Sequence, residues 1–324
     1  MVFSKQDLLK FYETMVKIRK FDTEAKRARE ANEILGNVHV YLGEEAIATG
    51  VCACLEKKDY IESTHRGHGH TIAKGADLKP MMAELYGKAT GLCKGKGGSQ
   101  HIADFSIGML GANGIVGGGF ALAVGAALAS RFKKTGAISV VFFGDGASNR
   151  GTFHEAANMA AAYHLPVIFV CENNGIACST PHDTGGQQAV QDLSKRAVGY
   201  DMESYVVNGN DFFSVYNGMS RLVKRARNGI GNACGFLECK TWRPYGHIVG
   251  DKQIYRNPEL AKARFEADDC IKNFERRCID SKWLAAEDFE QIQKNVDKMI
   301  EEAKQFAIDS PYPDASALME DLYD

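Results

Sequence analysis

Two short stretches carry residue types whose spacing could do chemistry. The first is Gly144-Asp145-Gly146, followed after 26 residues by Asn173-Asn174. A strand that ends in glycines just before a helix leaves backbone N–H groups pointing to where an anion would lie. Asp145 sits between those glycines and would repel a pyrophosphate there unless a cation bridges the two. The Asp145 carboxylate, the Asn174 amide oxygen and a nearby backbone carbonyl form a hard oxygen set. Two diphosphate oxygens and a water would complete the octahedron that Mg²⁺ prefers. The second stretch, "THRGHGH", sets His65, His68 and His70 around Arg66. H-x-x-H-x-H could present ring nitrogens to one zinc ion, which makes a zinc hydrolase one reading. Arg66 counts against it, because a fixed cation beside a dication costs Coulomb energy. The same cationic, glycine-rich segment suits an anion equally well.

These residues need elements to hold them. "AISVVFF" (137–143) and "LPVIFVCE" (165–172) are β-branched runs bounded by breakers, and each predicts a strand. "NRGTFHEAANMAAAYH" between them predicts a helix. Strand, helix, strand in that order is a right-handed βαβ unit, and unbroken apolar strands predict a parallel sheet covered on both faces. The carboxyl ends of neighbouring parallel strands share one crevice, so Asp145 and Asn174 are expected at the same sheet edge. "SYVVNG" and "GFLECKTW" predict two more strands, with the helix "FFSVYNGMSRLVKRARN" between them, and Ala121–Ser130 predicts a small-residue helix. Ser4 and Asp7 predict a capping box, with Leu8, Tyr12, Met15, Ile18 and Phe21 along one helix face. From Val38 to Gly119 no helical period emerges, and loops close to a ligand are expected. The fold class is therefore α/β. One domain over 1–324 is expected, with helical extensions at 1–36 and 258–324. The same βαβ unit keeps a nicotinamide-dependent Rossmann dehydrogenase as an alternative, with Glu172 as the ribose-binding acid. Asn149 stands where the third glycine of that pattern belongs.

Bulk composition narrows the classes. With 324 residues, 45% hydrophobic and 25% charged, the chain can bury a full core. Thirty-nine Lys+Arg against 41 Asp+Glu give a formal charge of −2, which implies no general affinity for nucleic acid or an anionic membrane. The longest apolar stretch, "IVGGGFALAVGAALAS", is glycine-broken and shorter than the about 20 residues a span needs. The N-terminus lacks the apolar core of a signal peptide. Nine scattered cysteines without a C-x-x-C pair are read as reduced thiols in a cytoplasmic protein.

G-D-G followed at that interval by N-N resembles the thiamin diphosphate signature. "NVHVYLGEEA", "THRGHGH", "GLCKGKGGSQHI", "GANGIVGGG", "FFGDGASNRGTFHEAANMAA", "LPVIFVCENN" and "YGHIVGD" together resemble α subunits of the 2-oxo acid dehydrogenase family. The stretch from Ser63 to Ser99 is most similar to acetoin dehydrogenase α subunits. Pyruvate-type members usually carry tyrosine where His65 stands. The resemblance implies a thiamin diphosphate-binding fold with two cofactors, thiamin diphosphate and Mg²⁺. It implies that Asp145, Asn174 and the Ile176 carbonyl hold the metal. His65 and Arg66 would contact the diphosphate, Gly146 and Ala147 would offer it N–H groups, and Gly114 and Val116 would offer backbone groups to the aminopyrimidine. His247 would be the active-site histidine near the diphosphate, and His39 would line the entrance as a second catalytic group. His68 and His70 are given supporting polar roles in the pocket wall, with no zinc.

The resemblance further implies a β subunit in an α2β2 heterotetramer. That subunit supplies the glutamate that activates the cofactor, so the α chain alone is expected to be inactive. Acetoin, or alternatively pyruvate or another 2-oxo acid, would lose acetaldehyde or CO₂, and the two-carbon unit would pass with oxidation to a lipoyl-bearing acyltransferase. Three departures from the family pattern stand out: Ile176 replaces a usual tyrosine, Arg150 a usual glutamate or glutamine, and "RPYGH" lacks a more basic form.

Overall fold

The computed structural model describes residues 3–182, 187–229 and 232–322. The first helix, α1 (Lys5–Glu30), starts as its sequence dictates. The Ser4 hydroxyl accepts from the Asp7 N–H and the Asp7 carboxylate from the Ser4 N–H, each at 3.1 Å, satisfying donors that a helix start leaves free. Leu8, Tyr12, Met15, Ile18 and Phe21 are buried along α1. The stretch from Val38 to Gly119 departs from expectation. It holds α2 (Glu45–Cys52), β1 (Tyr60–Glu62), α3 (His68–Lys74), α4 (Leu78–Leu85) and β2 (Met109–Gly111). A helical period becomes visible only when one helix face meets water, and α2 buries every one of its residues.

The remaining elements are α5 (Gly119–Lys133), β3 (Ser139–Gly144), α6 (Gly151–Ala162), β4 (Val167–Asn173), β5 (Ile176–Ala177), β6 (Thr180–Pro181), β7 (Glu203–Asn208), α7 (Phe212–Asn228), β8 (Gly235–Lys240), α8 (Pro258–Ala267), α9 (Cys270–Asp280) and α10 (Ala286–Asp309). The strands expected from pattern alone begin and end within about two residues of these bounds, the usual scatter of element ends. Six strands form one sheet in the order β2-β1-β3-β4-β8-β7, with every pairing parallel. Side chains alternate across it. Val141 and Phe143 pack with α5 and α6, and Val140 and Phe142 with α2 and α7. A third apolar cluster joins α1, α3, α4, α9 and α10. Among the described residues, no helix is long and apolar enough to cross a membrane.

Register brings the strand ends together. Glu62 pairs Val141, Gly144 pairs Glu172, and Asn173 pairs Lys240. The chain therefore leaves β1 toward Arg66, β3 toward Asp145, β4 toward Asn174 and β8 toward Arg243 at one edge, where ligands of open parallel sheets bind.

One glycine of "HRGHGH" has a packing reason. A Cβ on Gly69 would lie 2.2 Å from Tyr41 Cδ1, and Tyr41 is fully buried. Gly69→Ala should therefore destabilise the fold by about 1–3 kcal/mol, visible as a lower midpoint in a thermal melt followed by circular dichroism. An unchanged midpoint would mean that α3 does not press its backbone against that ring.

Candidate functional site

Gly144 leaves β3 extended, and Asp145 opens a 3₁₀ turn that runs to Asn149 just before α6. Asp145 is 2% exposed, and burial pushes its pKa up. Its carboxylate accepts from the Gln187 amide at 2.6 Å and from the backbone N–H groups of Asp145 and Gly146. A buried carboxylate held by neutral donors is neutralised either by a proton or by a cation. Asn174 follows β4. Its Nδ2 donates to Glu44 Oε1 (3.1 Å) and its Oδ1 accepts from the Ile176 N–H (3.3 Å). A Cβ on Gly146 would meet the Cβ of Ala177 at 2.5 Å, so the turn packs backbone-close against β5. Carboxylate, amide oxygen and the Ile176 carbonyl are the donor set that suits Mg²⁺, and the site fits that ion.

The turn is stapled from outside. Arg196 donates to the Ser148 carbonyl and to Asn149 Oδ1 (2.8 Å), and Asn149 Nδ2 donates to the Gln187 carbonyl (3.0 Å). The third glycine position of a Rossmann loop is thus a brace rather than a close phosphate approach. Glu172, the ribose acid of that alternative, is 4% exposed and accepts from the Tyr41 hydroxyl and from His70 Nε2 (2.9 Å). The strand order also differs from 3-2-1-4-5-6. The nicotinamide reading is not favoured.

The histidines of "HRGHGH" part company. His65 lies before α3 begins and faces the strand edge, whereas His68 and His70 lie within α3 and are wholly buried. His68 Nδ1 donates to Asp22 Oδ1 (2.5 Å), and the Ser99 hydroxyl donates to its Nε2 (3.0 Å). His70 Nδ1 accepts from the Ser63 hydroxyl (2.7 Å). Neither lines the cavity described below; both stand behind it and anchor residues that do. His65 instead joins His39 and His247, with ring centroids 4.7 to 5.3 Å apart. Their ligand atoms lie within 4.8 Å of one another. Burial first, and then the Arg66 charge, hold their pKa values down, at about 3 for His39, about 2 for His65 and about 4 for His247. The rings are neutral, and the neighbouring Arg66 charge opposes a dication among them.

Arg66 is 5% exposed and donates to the carbonyls of Val40 (2.5 Å) and His247 (3.1 Å). Arg243, equally buried, donates to the carbonyls of Cys178 (2.8 Å) and Tyr245 (3.2 Å). Two buried guanidiniums that rest on neutral carbonyls form a wall made for an anion. One cavity of about 410 Å³ is lined by His39, His65, Arg66, Gly114, Val116, Asp145, Gly146, Ala147, Asn174, Ile176 and His247, whereas His68 and His70, expected in the pocket wall, stay outside it. Gly114 and Val116 lie in the exposed turn before α5, where Ile115 and Val116 are 70% and 51% exposed. His247 Nδ1 is buried without a hydrogen-bond partner.

Sequence reasoning missed Glu44, Gln187 and Arg243, which line the same cavity. Two adjacent acids at the start of an otherwise apolar helix, "GEEAIATGV", could have flagged Glu44. Arg243 carried the signal of a cation just beyond the end of a strand. Gln187 had none, because it reaches Asp145 from a distant loop.

The family described as "Dehydrogenase E1 component" matches residues 13–316. The α subunit of acetoin:2,6-dichlorophenolindophenol oxidoreductase from Bacillus subtilis (strain 168) is 48% identical over 320 residues, covering 99% of this chain and 94% of that one. The subunit of the same description from Cupriavidus necator is 47% identical, covering 98% and 95%. The pyruvate dehydrogenase E1 component subunit alpha of Rhizobium meliloti is 36% identical, covering 99% and 91%.

The three neutral histidines set a pH dependence. An unfolded chain takes up their protons near pH 6.5, but the folded chain takes them up only at about 3, 2 and 4. The folded state binds fewer protons in that window, so stability is full above about pH 6.5 and falls as pH drops until the last of the three rings is protonated at about 2. Urea midpoints of the cofactor-free protein should follow that fall, and His65→Gln should flatten it. Parallel curves for wild type and variant would contradict the assignment.

Proposed function

The chain belongs to the dehydrogenase E1 component family, and we propose that it is the α subunit of a thiamin diphosphate- and Mg²⁺-dependent dehydrogenase that cleaves acetoin. The observation that carries this reading is that Asp145, Asn174 and Ile176 line one cavity together with Arg66 and Arg243. That pairing of a hard oxygen set with guanidiniums suits a metal-bound diphosphate. The acetoin assignment rests on the relatives at 48% and 47% identity, together with His65.

Bound there, thiamin diphosphate would supply the electron sink for breaking the bond beside a carbonyl. The chain's own residues do the rest. Asp145, Asn174 and Ile176 hold the cation. Arg66, His65 and the N–H groups of Gly146 and Ala147 hold the diphosphate, and the backbone at Gly114 and Val116 orients the ring. His247, neutral and with a free Nδ1, takes up and returns a proton. His39 stands at the entrance. The exposed lip at Ile115 and Val116 suits cover by the β subunit of an α2β2 heterotetramer, which would bring the activating glutamate. A lipoyl-bearing acyltransferase would accept the two-carbon unit. Nine free cysteines fit a cytoplasmic setting. Pyruvate is the second reading, favoured by the 36%-identical relative.

Two measurements on the complex co-expressed with its β subunit test this. Asp145→Asn should abolish saturable thiamin diphosphate binding in a Mg²⁺-containing titration, whereas a nicotinamide enzyme would tolerate it. Dye reduction should run with acetoin and lag with pyruvate, and the α chain alone should reduce no dye. Pyruvate activity without acetoin activity would overturn the substrate assignment.

A further inference from the structure

Glu44 stands behind the metal corner with no task in the roles assigned above. It precedes α2 but makes no side-chain cap bond there. It is 1% exposed, yet it lines the cavity. Burial and then the neighbouring Glu172 charge push its pKa up to about 8, against the opposing pull of the Arg66 and Arg243 charges. Its side-chain hydrogen bond runs to Asn174 Nδ2 (3.1 Å).

A primary amide has a donor end and an acceptor end of nearly equal shape. Asn174 is gripped at both. Its NH₂ faces the Glu44 carboxylate, and its Oδ1 faces the Ile176 N–H (3.3 Å). Rotation by half a turn would set NH₂ against the Ile176 N–H, a clash of two donors in any protonation state, and oxygen against the ionised form of Glu44. Only one orientation is satisfied. It puts the oxygen on the side of Ile176, the residue whose carbonyl belongs to the same donor set. An amide nitrogen has no lone pair to give a hard cation, so orientation decides whether Asn174 can be a ligand at all.

We propose that Glu44 is a positioning residue for the divalent cation, fixing the Asn174 amide so that its oxygen, not its nitrogen, meets the metal. This rests on the reading of Asp145, Asn174 and Ile176 as the metal corner. Groups that orient metal ligands from behind commonly matter 10- to 100-fold to affinity.

The probe is Mn²⁺, titrated into the αβ complex at saturating thiamin diphosphate, with free Mn²⁺ read by electron paramagnetic resonance. Glu44→Ala should weaken Mn²⁺ binding by about 10- to 100-fold. Glu44→Leu, of similar volume and with no acceptor, should show the same loss and keeps the test valid if the alanine variant does not fold. Glu44→Gln retains an acceptor oxygen for Asn174 and should bind Mn²⁺ nearly as wild type does. On an Asn174→Ala background, Glu44→Ala should change the affinity no further, because the coupling runs through that amide. Wild-type affinity in Glu44→Leu would overturn the proposal. So would a Glu44→Gln loss equal to that of Glu44→Leu, which would assign the effect to charge. If the wild-type complex bound no Mn²⁺ with the cofactor, the metal corner itself would be refuted, a different and separable failure.

Discussion

A carboxylate held out of water at the end of a parallel strand is the constraint on which the rest depends. Asp145 is 2% exposed and receives neutral donors, an arrangement that a bound cation would complete. An anion could not share that turn without one. The Arg196 staple on Ser148 and Asn149 keeps the turn from relaxing toward solvent. The guanidiniums of Arg66 and Arg243 line the same cavity. Negative corner and positive wall share one cavity, the arrangement that the proposed metal-bound diphosphate would need.

Behind the cavity a buried polar network connects the helical layer to the sheet. Asp22 on α1 holds His68 on α3 and accepts from the Tyr41 N–H. The Tyr41 hydroxyl and His70 both reach Glu172 on β4. Each imidazole uses both nitrogens, so none is left orphaned in a low-dielectric interior. The network fixes where β1 hands over to α3, and with it the placing of His65 and Arg66 at the crevice. The histidines that look most like metal ligands therefore do structural work, and the one that leaves the motif joins His39 and His247 at the cavity.

Neutral imidazoles beside a fixed guanidinium have a chemical consequence. Burial and the Arg66 charge keep His39, His65 and His247 unprotonated, which leaves the rings neutral but weakly basic. An anion bound at the guanidinium wall would offset part of the Arg66 charge and raise their basicity. Ligand binding and proton handling are in this way coupled through one cation.

The sequence by itself determined the parallel sheet, the strand ends bearing Asp145 and Asn174, and the capped first helix. These are local matters: a β-branched run, a capping box and a glycine turn carry their conformation in neighbouring residues. It did not determine the short helices between Val38 and Gly119, because α2 is buried on every side and shows no period, while α3 and α4 span only seven and eight residues. Nor did it determine that His68 and His70 turn inward while His65 turns out, or that Glu44, Gln187 and Arg243 reach the same cavity. Glu44 meets Asn174 across 130 residues of chain, and Gln187 meets Asp145 across 42. Such pairings arise only when separate elements close on one another, so the tertiary structure alone could decide them.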